Sequence, residues 1–470
     1  MPFNVSKVAI IGAGPTGLAA AKHLLAHSIS VTLFEQQPAR ALGGVWYYTP
    51  EAPPPPPAPQ TDPFHAPDAP LEAGPRSGGD APVFISPMYE ELHANIPGSL
   101  MAFRGVPFPG DARVFPSREV IRDYVRRYAE DVRHLIRFSR EVVAVEPRAA
   151  DDGGEEKWHL RSRSTVDGSE DAEVFDAVVV ANGHYSVPFI PPVANLSSYA
   201  EAHRDSVLHS KQFRSPRAFD DKVVVVVGNG PSGLDIAYQI RPHARKLYLS
   251  VRDPTPEEKL SHIGCAEIAE ITEFLPSTRG VRLANGTEIR DIDTIIFCTG
   301  FLYSFPFLPT VSDTLITKGK GVHGLYKHLF SIRHPTLAFP GLLMRAVPFP
   351  MAEAQAAVFA AAWSNLISLP PADDMWEESR RLDQERGDAV QVLPKMADAE
   401  YINEMHDWVA GCGGLEPPRW GPRQFWERKI FAEAKIRFED DGCKAGTLEE
   451  LGFEFGREGG IEEGPVESEP

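Results

Sequence analysis

KVAIIGAGPTGLAAAKHL, Lys7 to Leu24, is an aliphatic run that breaks on glycine and resumes with helical character, and the chain repeats it as KVVVVVGNGPSGLDIAYQI, Lys222 to Ile240. The copies share Gly12/Gly228, Gly14/Gly230, Pro15/Pro231, Gly17/Gly233, Leu18/Leu234 and Ala21/Ala237. Each reads as a buried strand opening into a helix. In such a unit the first glycine takes a tight turn, the second lets the backbone approach a pyrophosphate, and the third lets the helix pack closely on the strand. The phosphate rests on the helix N-terminus, where free N–H groups and the dipole favour an anion; Ser232 lies in that first turn of the second copy.

The two units then diverge. After the first, the strand SVTLFE ends in Glu35, at the distance where a carboxylate accepts hydrogen bonds from an adenosine ribose and rejects an added phosphate. After the second, KLYLSVR carries no acid there and offers Ser250 and Arg252, a hydroxyl and a guanidinium suited to a 2′-phosphate. FAD on the first unit and NADPH on the second is the simplest reading. Glu35 and Arg252 as plain solvated strand ends is the alternative.

The expected fold is α/β, with two Rossmann-like dinucleotide-binding domains, the second inserted in the first. Residues 1–210 and 300–375 would form the FAD-binding domain, 211–299 the NADPH-binding domain, and 376–470 a charged, mostly helical C-terminal region with a frayed tail, EGGIEEGPVESEP, to which no chemistry is assigned. Residues 50–82, with five prolines from Pro53 to Pro57 and few aliphatic residues, read as a disordered surface insertion. Further on, Ser117 is placed to cap a helix whose Val120, Tyr124, Val125 and Tyr128 share a face. Alternating strands follow at IRFSREVVAVE and WHLRSRS, separated by the charged loop DDGGEEK, before the buried strand in FDAVVVANG.

Forty-seven basic against sixty-five acidic residues give a formal net charge of −18, which argues against nucleic acid or an anionic membrane as the main partner. Cys265, Cys298, Cys412 and Cys443 are scattered, with no C-x-x-C pair and no zinc spacing, so neither a disulfide reductase nor a metal site is expected. The start, MPFNVSKVAIIG, enters a strand at once without the regions of a secretory signal, and a cytoplasmic, reducing location is expected. The most apolar window, AEAQAAVFAAAWSNLISL, contains Glu353 and Gln355 and reads as a buried helix, not a membrane anchor. The oligomeric state is left open, a homodimer included.

These motifs resemble the flavin-containing monooxygenase family from Val8 to about Leu369. Besides the glycine turns, the resemblance rests on GGVWYY (Gly43 to Tyr48), NIP (Asn95 to Pro97), MAFRGVPFP, FPSREV, the YVRRYA helix, NGHYSVPFIP, HSKQF, TGFLYSFPFL and PFPMAEAQA, in that order. The family's identifying pattern, F-x-G-x-x-x-H-x-x-x-[YF], falls on HRDSVLHSKQF: His209 and Phe213 match, while His203 and Asp205 replace its aromatic and glycine. The final aromatic resembles the N- and S-oxygenating branch more than the Baeyer–Villiger branch.

The resemblance implies an NADPH-dependent flavin monooxygenase, similar to N,N-dimethylaniline monooxygenase. Oxygen would add at flavin C(4a), and the resulting hydroperoxide would oxygenate nitrogen or sulfur of a small nucleophilic substrate, an amine or sulfide. The flavin carries the hard chemistry; the protein protects and places. Asn95 matches the family's asparagine near the reactive flavin edge and can donate without supplying an acidic proton. Trp46 resembles the residue beside the flavin, with Gly43 and Gly44 allowing close backbone approach; Val142 completes the FAD set. Thr299 and Gly300 resemble the hinge returning from the NADPH domain, and His209 and Phe213 the linker entering it. His184, His209 and His262 are expected to be structural, because a neutral nucleophile needs no acid/base dyad. Baeyer–Villiger oxidation of a ketone, and a catalytically silent flavin-binding protein, are the competing readings.

Overall fold

A computed structural model describes residues 2–149 and 156–456. Most of the DDGGEEK loop and all of the EGGIEEGPVESEP tail lie outside the described residues. The architecture is α/β, and two parallel sheets organise it. In the first, Lys7–Ile11 is central, paired in parallel with Ser30–Phe34 on one side and Ala177–Val180 on the other. Ile136–Arg137 extends one edge, and Leu337–Ala338, Phe330–Ser331 and Leu325–Tyr326 extend the other. The second sheet is parallel throughout and runs in the order Ala266–Ala269, Lys246–Val251, Val223–Val227, Thr294–Phe297, Val207–His209.

The first sheet thus takes strands from both sides of the second, so the second unit is nested in the first. Val207–His209 already pairs with the second sheet, ahead of the boundary expected at 211. The central strands are buried on both faces, which is why they read as unbroken Val/Ile runs without alternation. The polar–apolar alternation read at 136–164 belongs to an antiparallel layer, Arg140–Arg148, Lys157–Ser164 and Glu170–Phe175, with one face against the first sheet through Val145, Trp158, Leu160 and Phe175.

Two local expectations need correction. Ser117 occupies the N-cap of helix Arg118–Tyr128, but its side chain makes no capping bond, and Ile121, not Val120, joins Tyr124, Val125 and Tyr128 on the buried face. Ile121, Tyr124, Val125 and Tyr128 follow the i, i+3, i+4, i+7 spacing of one helix face, which Val120 does not share. The proline-rich segment 50–82 has no helix or strand, yet it is held in place. Prolines keep their carbonyls as acceptors, and side chains of the 211–214 stretch use that backbone: Gln212 Nε2 donates to Pro54 O and Arg214 Nε to Glu51 O, each at 2.8 Å. Gln60 exchanges two backbone hydrogen bonds with Ile190, each 2.9 Å.

Beyond residue 371 the chain is helical as expected, with Ala372–Arg386, Ala397–Trp408 and Pro422–Asp440. A buried ion pair within it, Arg428 Nε donating to Asp398 Oδ2 at 2.8 Å, binds the first domain's backbone: the same oxygen accepts Val347 N at 3.2 Å, and Arg428 Nη2 donates to Arg345 O at 3.0 Å. Helix Pro348–Trp363, the apolar window, is buried from Phe349 to Trp363. Among the described residues no helix is long and apolar enough to cross a membrane.

Within that helix Glu353 is 5 % exposed. Its Oε2 accepts Arg104 N at 2.8 Å and its Oε1 accepts the Tyr128 hydroxyl at 3.4 Å. Burial outweighs these bonds and pushes the carboxyl from 4.5 up to about 7. Because the folded value is raised, the acid's contribution to stability is fully present below pH 4.5 and is lost as pH rises through about 7. Glu353→Gln, which keeps an acceptor, should therefore gain on the wild type by roughly 3 kcal/mol between about pH 5 and pH 8, read by urea unfolding. Parallel pH profiles for the two proteins would contradict this placement of the acid.

Candidate dinucleotide and flavin site

The two glycine turns are near copies in space as well as in sequence. Gly12 and Gly228 have φ of +99° and +103°, a region open to glycine and strained for other residues. Gly14 and Gly230 are N-caps with φ, ψ of −74°, −177° and −70°, 178°, each followed by proline at the first helical position. Neither N-cap supplies a side-chain cap, so the N–H groups at both helix N-termini face outward without a capping side chain.

The third glycines show why a side chain is excluded. A Cβ on Gly17 would lie 2.0 Å from Gly12 O, and one on Gly233 would lie 1.9 Å from Gly228 O. A Cβ on Gly12 would meet Ala181 O at 2.5 Å, and one on Gly228 would meet Cys298 O at 2.9 Å. Around Gly230 nothing lies within 4 Å of such a carbon, which is room for a phosphate at the helix end, and Ser232 is exposed in that turn.

Gly43 and Gly44 adopt φ of +150° and +58°, and a Cβ on Gly44 would come within 2.9 Å of Gly14 Cα. The GGVWYY segment therefore runs directly against the first turn, and Trp46 packs half-buried on the first domain's core. Glu35 is buried; its Oε2 accepts Ala13 N at 2.8 Å and its Oε1 accepts Gln37 N at 2.9 Å. Burial raises its carboxyl, with the two backbone bonds opposing the shift. Each oxygen retains a lone pair for a ribose hydroxyl. The residues at this turn fit FAD. The Val142 side chain joins Phe34 and Val145 in an apolar cluster, at an irregularity in the strand pairing that leaves its contribution to the backbone.

Superposing the hydrogen bonds of the two units corrects the second one. Gly12 N donates to Phe34 O and Gly228 N to Ser250 O, so Ser250 corresponds to Phe34, and Val251 to Glu35. Ser250 accordingly points inward: it is 1 % exposed and its hydroxyl donates to Ala269 O at 3.0 Å. Its proton is committed and it is no phosphate ligand. Arg252 is the exposed group, with only an exposed Asp253 carboxylate 3.6 Å away. Two residues not singled out from sequence shape this end: Asn229 Nδ2 bonds Asp253 O at 3.0 Å and Thr255 Oγ1 at 3.1 Å, fixing the loop after Arg252 against the glycine turn. Those contacts join separate loops and leave no local signature.

Asn95 sits in a bend, exposed, with no hydrogen bond to its amide among the described residues. Its neighbours are pinned, Ala94 N to Pro116 O at 2.9 Å and Gly98 N to Val114 O at 2.8 Å, so the amide is held on a rigid turn with its donors free.

Linker residues join the two units. His209 is fully buried; its Nδ1 accepts Lys211 N at 3.1 Å, which leaves Nε2–H to donate to Gly300 O at 2.9 Å. Burial pushes this imidazole down to about 3, and its neutral tautomer is a staple. Thr299 Oγ1 donates to Phe189 O, Gly300 has φ +87°, and Phe301–Leu302 pairs antiparallel with Val187–Pro188. Phe213 is buried edge-on against Tyr89, centroids 5.1 Å apart.

The departures from the family pattern also have a geometry. Asp205, in the glycine position, has φ +66°, which a short polar side chain tolerates. His203, in the aromatic position, still packs its ring on Tyr199 at 4.9 Å. His262 is paired with Glu439 at 2.7 Å, which raises it. His184 lies against the rings of Tyr185 and Tyr303, lowered to about 4 by burial. Among the described residues no His/Cys/Asp/Glu group could hold a metal ion.

Gly17→Ala should drive the first helix off its turn, cost about 1–3 kcal/mol by overpacking, and yield protein with little bound flavin. Full flavin absorbance in that variant would contradict the packing described.

Known proteins point the same way. Residues 84–256 and 263–417 match the family described as flavin-binding monooxygenase-like, and residues 9–73 match an FAD-NAD(P)-binding family. The first match runs past Leu369 to residue 417, so the family likeness takes in much of the C-terminal region. The chain is 33 % identical to flavin-containing monooxygenase FMO GS-OX-like 2 of Arabidopsis thaliana, over 94 % of this chain and 93 % of that one. It is 32 % identical to flavin-containing monooxygenase iboF of Amanita muscaria, over 87 % and 88 %. Among solved structures, S-allyl-L-cysteine S-oxygenase from Allium sativum superposes with a TM-score of 0.78 at 26 % identity, covering 96 % of this chain and 98 % of the other. The chain belongs to the flavin-containing monooxygenase family, whose cofactors are FAD and NADPH.

Proposed function

We propose that this protein is an NADPH-dependent monooxygenase that transfers one oxygen atom from O2 to nitrogen or sulfur of a small amine or sulfide. The observation that carries the reading is the pairing of twin glycine turns with opposite strand ends: buried Glu35 after the first, exposed Arg252 after the second. The S-oxygenase named above supports the soft-nucleophile class. When bound, the flavin supplies two-electron redox chemistry and oxygen activation; the chain binds, orients and shields it.

In this reading Gly12, Gly14, Pro15, Gly17 and Glu35 hold FAD, with Gly43, Gly44 and Trp46 against it. Gly228, Gly230, Ser232, Gly233 and Arg252 hold NADPH, and the linker residues Thr299 and Gly300 place the second domain. The FAD-binding part is residues 1–206 with 300–375, and the NADPH-binding part 211–299 together with the strand Val207–His209 that leads into it. Free Cys265, Cys298, Cys412 and Cys443 suit a reducing compartment.

Asn95 supplies neutral donors at the reactive face. Asn95→Ala should lower substrate oxygenation on the order of 100-fold and raise the hydrogen peroxide released per NADPH consumed; unchanged coupling would remove Asn95 from this role. Arg252→Ala should reduce kcat/KM for NADPH about tenfold or more, as loss of a charged hydrogen bond does, and leave NADH nearly unaffected. An equal loss with both nucleotides would contradict the 2′-phosphate contact. Incubation with a sulfide, a tertiary amine and a cyclic ketone tests the reaction class: sulfoxide or N-oxide supports it, and lactone alone overturns it.

A further inference from the structure

We infer that the proline-rich segment 50–82 is a strap that sets the placement of the second nucleotide-binding domain on the first, and that Asp68 is its positioning residue. The inference rests on the NADPH reading only for its kinetic consequence. Two crossings connect the domains, Val187–Pro188 and Phe301–Leu302, and they pair only with each other. Around this neck Tyr89 packs on Phe213, Arg214 Nη2 donates to Ser86 O, and Glu439 of the C-terminal helix pairs with His262; the strap braces the side of the neck where the two crossings run.

The strap supplies further contacts on both sides. Toward the second domain, Gln60 pairs through backbone bonds with Ile190, in the segment that leads from the first crossing into the second sheet, and Ala58 packs on the apolar cluster containing Ile190 and the second domain's Phe274 and Ile295. Toward the first, Arg40 Nη2 donates to Ala81 O at 2.6 Å, and the strap's end continues into Phe84, which exchanges two hydrogen bonds with the Gln37 amide, 2.7 and 3.0 Å.

At its centre lies a buried charge. The Lys211 side chain is 7 % exposed and its Nζ donates to Asp68 Oδ2 and to Ser186 O, each at 2.5 Å. No other carboxylate pairs with this ammonium among the described residues. A buried ammonium without a counter-charge is strongly unfavourable, so Lys211 and Asp68 must stay together. Ser186 precedes the first crossing, and Lys211 follows His209, which is bonded to Gly300 at the second. The Asp68 carboxylate therefore locks strap and both crossings at one point. Transfer between two nucleotides demands reacting atoms within about 3.5 Å, where a small rotation is costly.

The test uses the FAD-loaded protein and Asp68→Asn, Asp68→Glu and Gln60→Pro. Without nucleotide, hydrogen exchange in peptides covering 51–68 and 209–214 should speed up in Asp68→Asn and return toward the wild type in Asp68→Glu. In anaerobic mixing, Asp68→Asn should keep its flavin and its rate of reduction by dithionite, while its limiting rate at saturating NADPH falls about tenfold; Asp68→Glu should recover most of it. Gln60→Pro removes a strap bond and strands no charge, so it decides the matter should Asp68→Asn lose flavin: slower reduction by NADPH alone supports the strap, and wild-type exchange with a wild-type limiting rate overturns it. Wild-type protein whose flavin NADPH fails to reduce would sink the proposed function, with the exchange result still judging the strap.

Discussion

A missing side chain governs this molecule. At Gly17 and Gly233 the helix lies so close to the preceding turn that a methyl group would sit 2.0 and 1.9 Å from a carbonyl oxygen. That closeness brings each helix N-terminus to the carboxyl edge of its sheet, where unpaired N–H groups can meet phosphate. The placement of a helix N-terminus beside each of the strand ends that carry Glu35 and Arg252 follows from two repeats of this one contact. The relation between the repeats then rests on the linker, where His209, kept neutral by burial, bonds Gly300 beside the second crossing.

Much of this was legible in the residue order because the signals are local. A glycine that must take φ near +100° and a valine run buried on both faces leave their marks within a few positions. The first turn and its partner strand are legible for that reason, and Glu35 at that strand's end is buried and not solvated. Ser250 was misread because its inward direction depends on strand register: the backbone bond from Gly228 makes it the counterpart of Phe34, one position short of the strand end. Asp205 looked like damage to a motif, yet its φ of +66° shows the backbone of a glycine kept by a residue that tolerates it.

The proline-rich stretch marks the limit more sharply. Composition reports whether a segment can build its own core, and 50–82 cannot. It does not report whether distant side chains will use that segment's carbonyls, as Gln212 and Arg214 do. Nor does it report that Lys211, in the HSKQF stretch, is buried against Asp68. Contacts between loops far apart in the chain carry no periodicity, so the joint between the domains had to be seen to be described.

The central claim is the division of labour between the twin turns, and hydrogen exchange on the flavin-loaded protein, with and without NADP+, tests it most directly. The account predicts that NADP+ slows exchange at Gly228–Gly233 and around Arg252, and leaves the stretch from Gly12 to Glu35 as it was with FAD alone. Protection by NADP+ at the first turn, or none at the second, would contradict it.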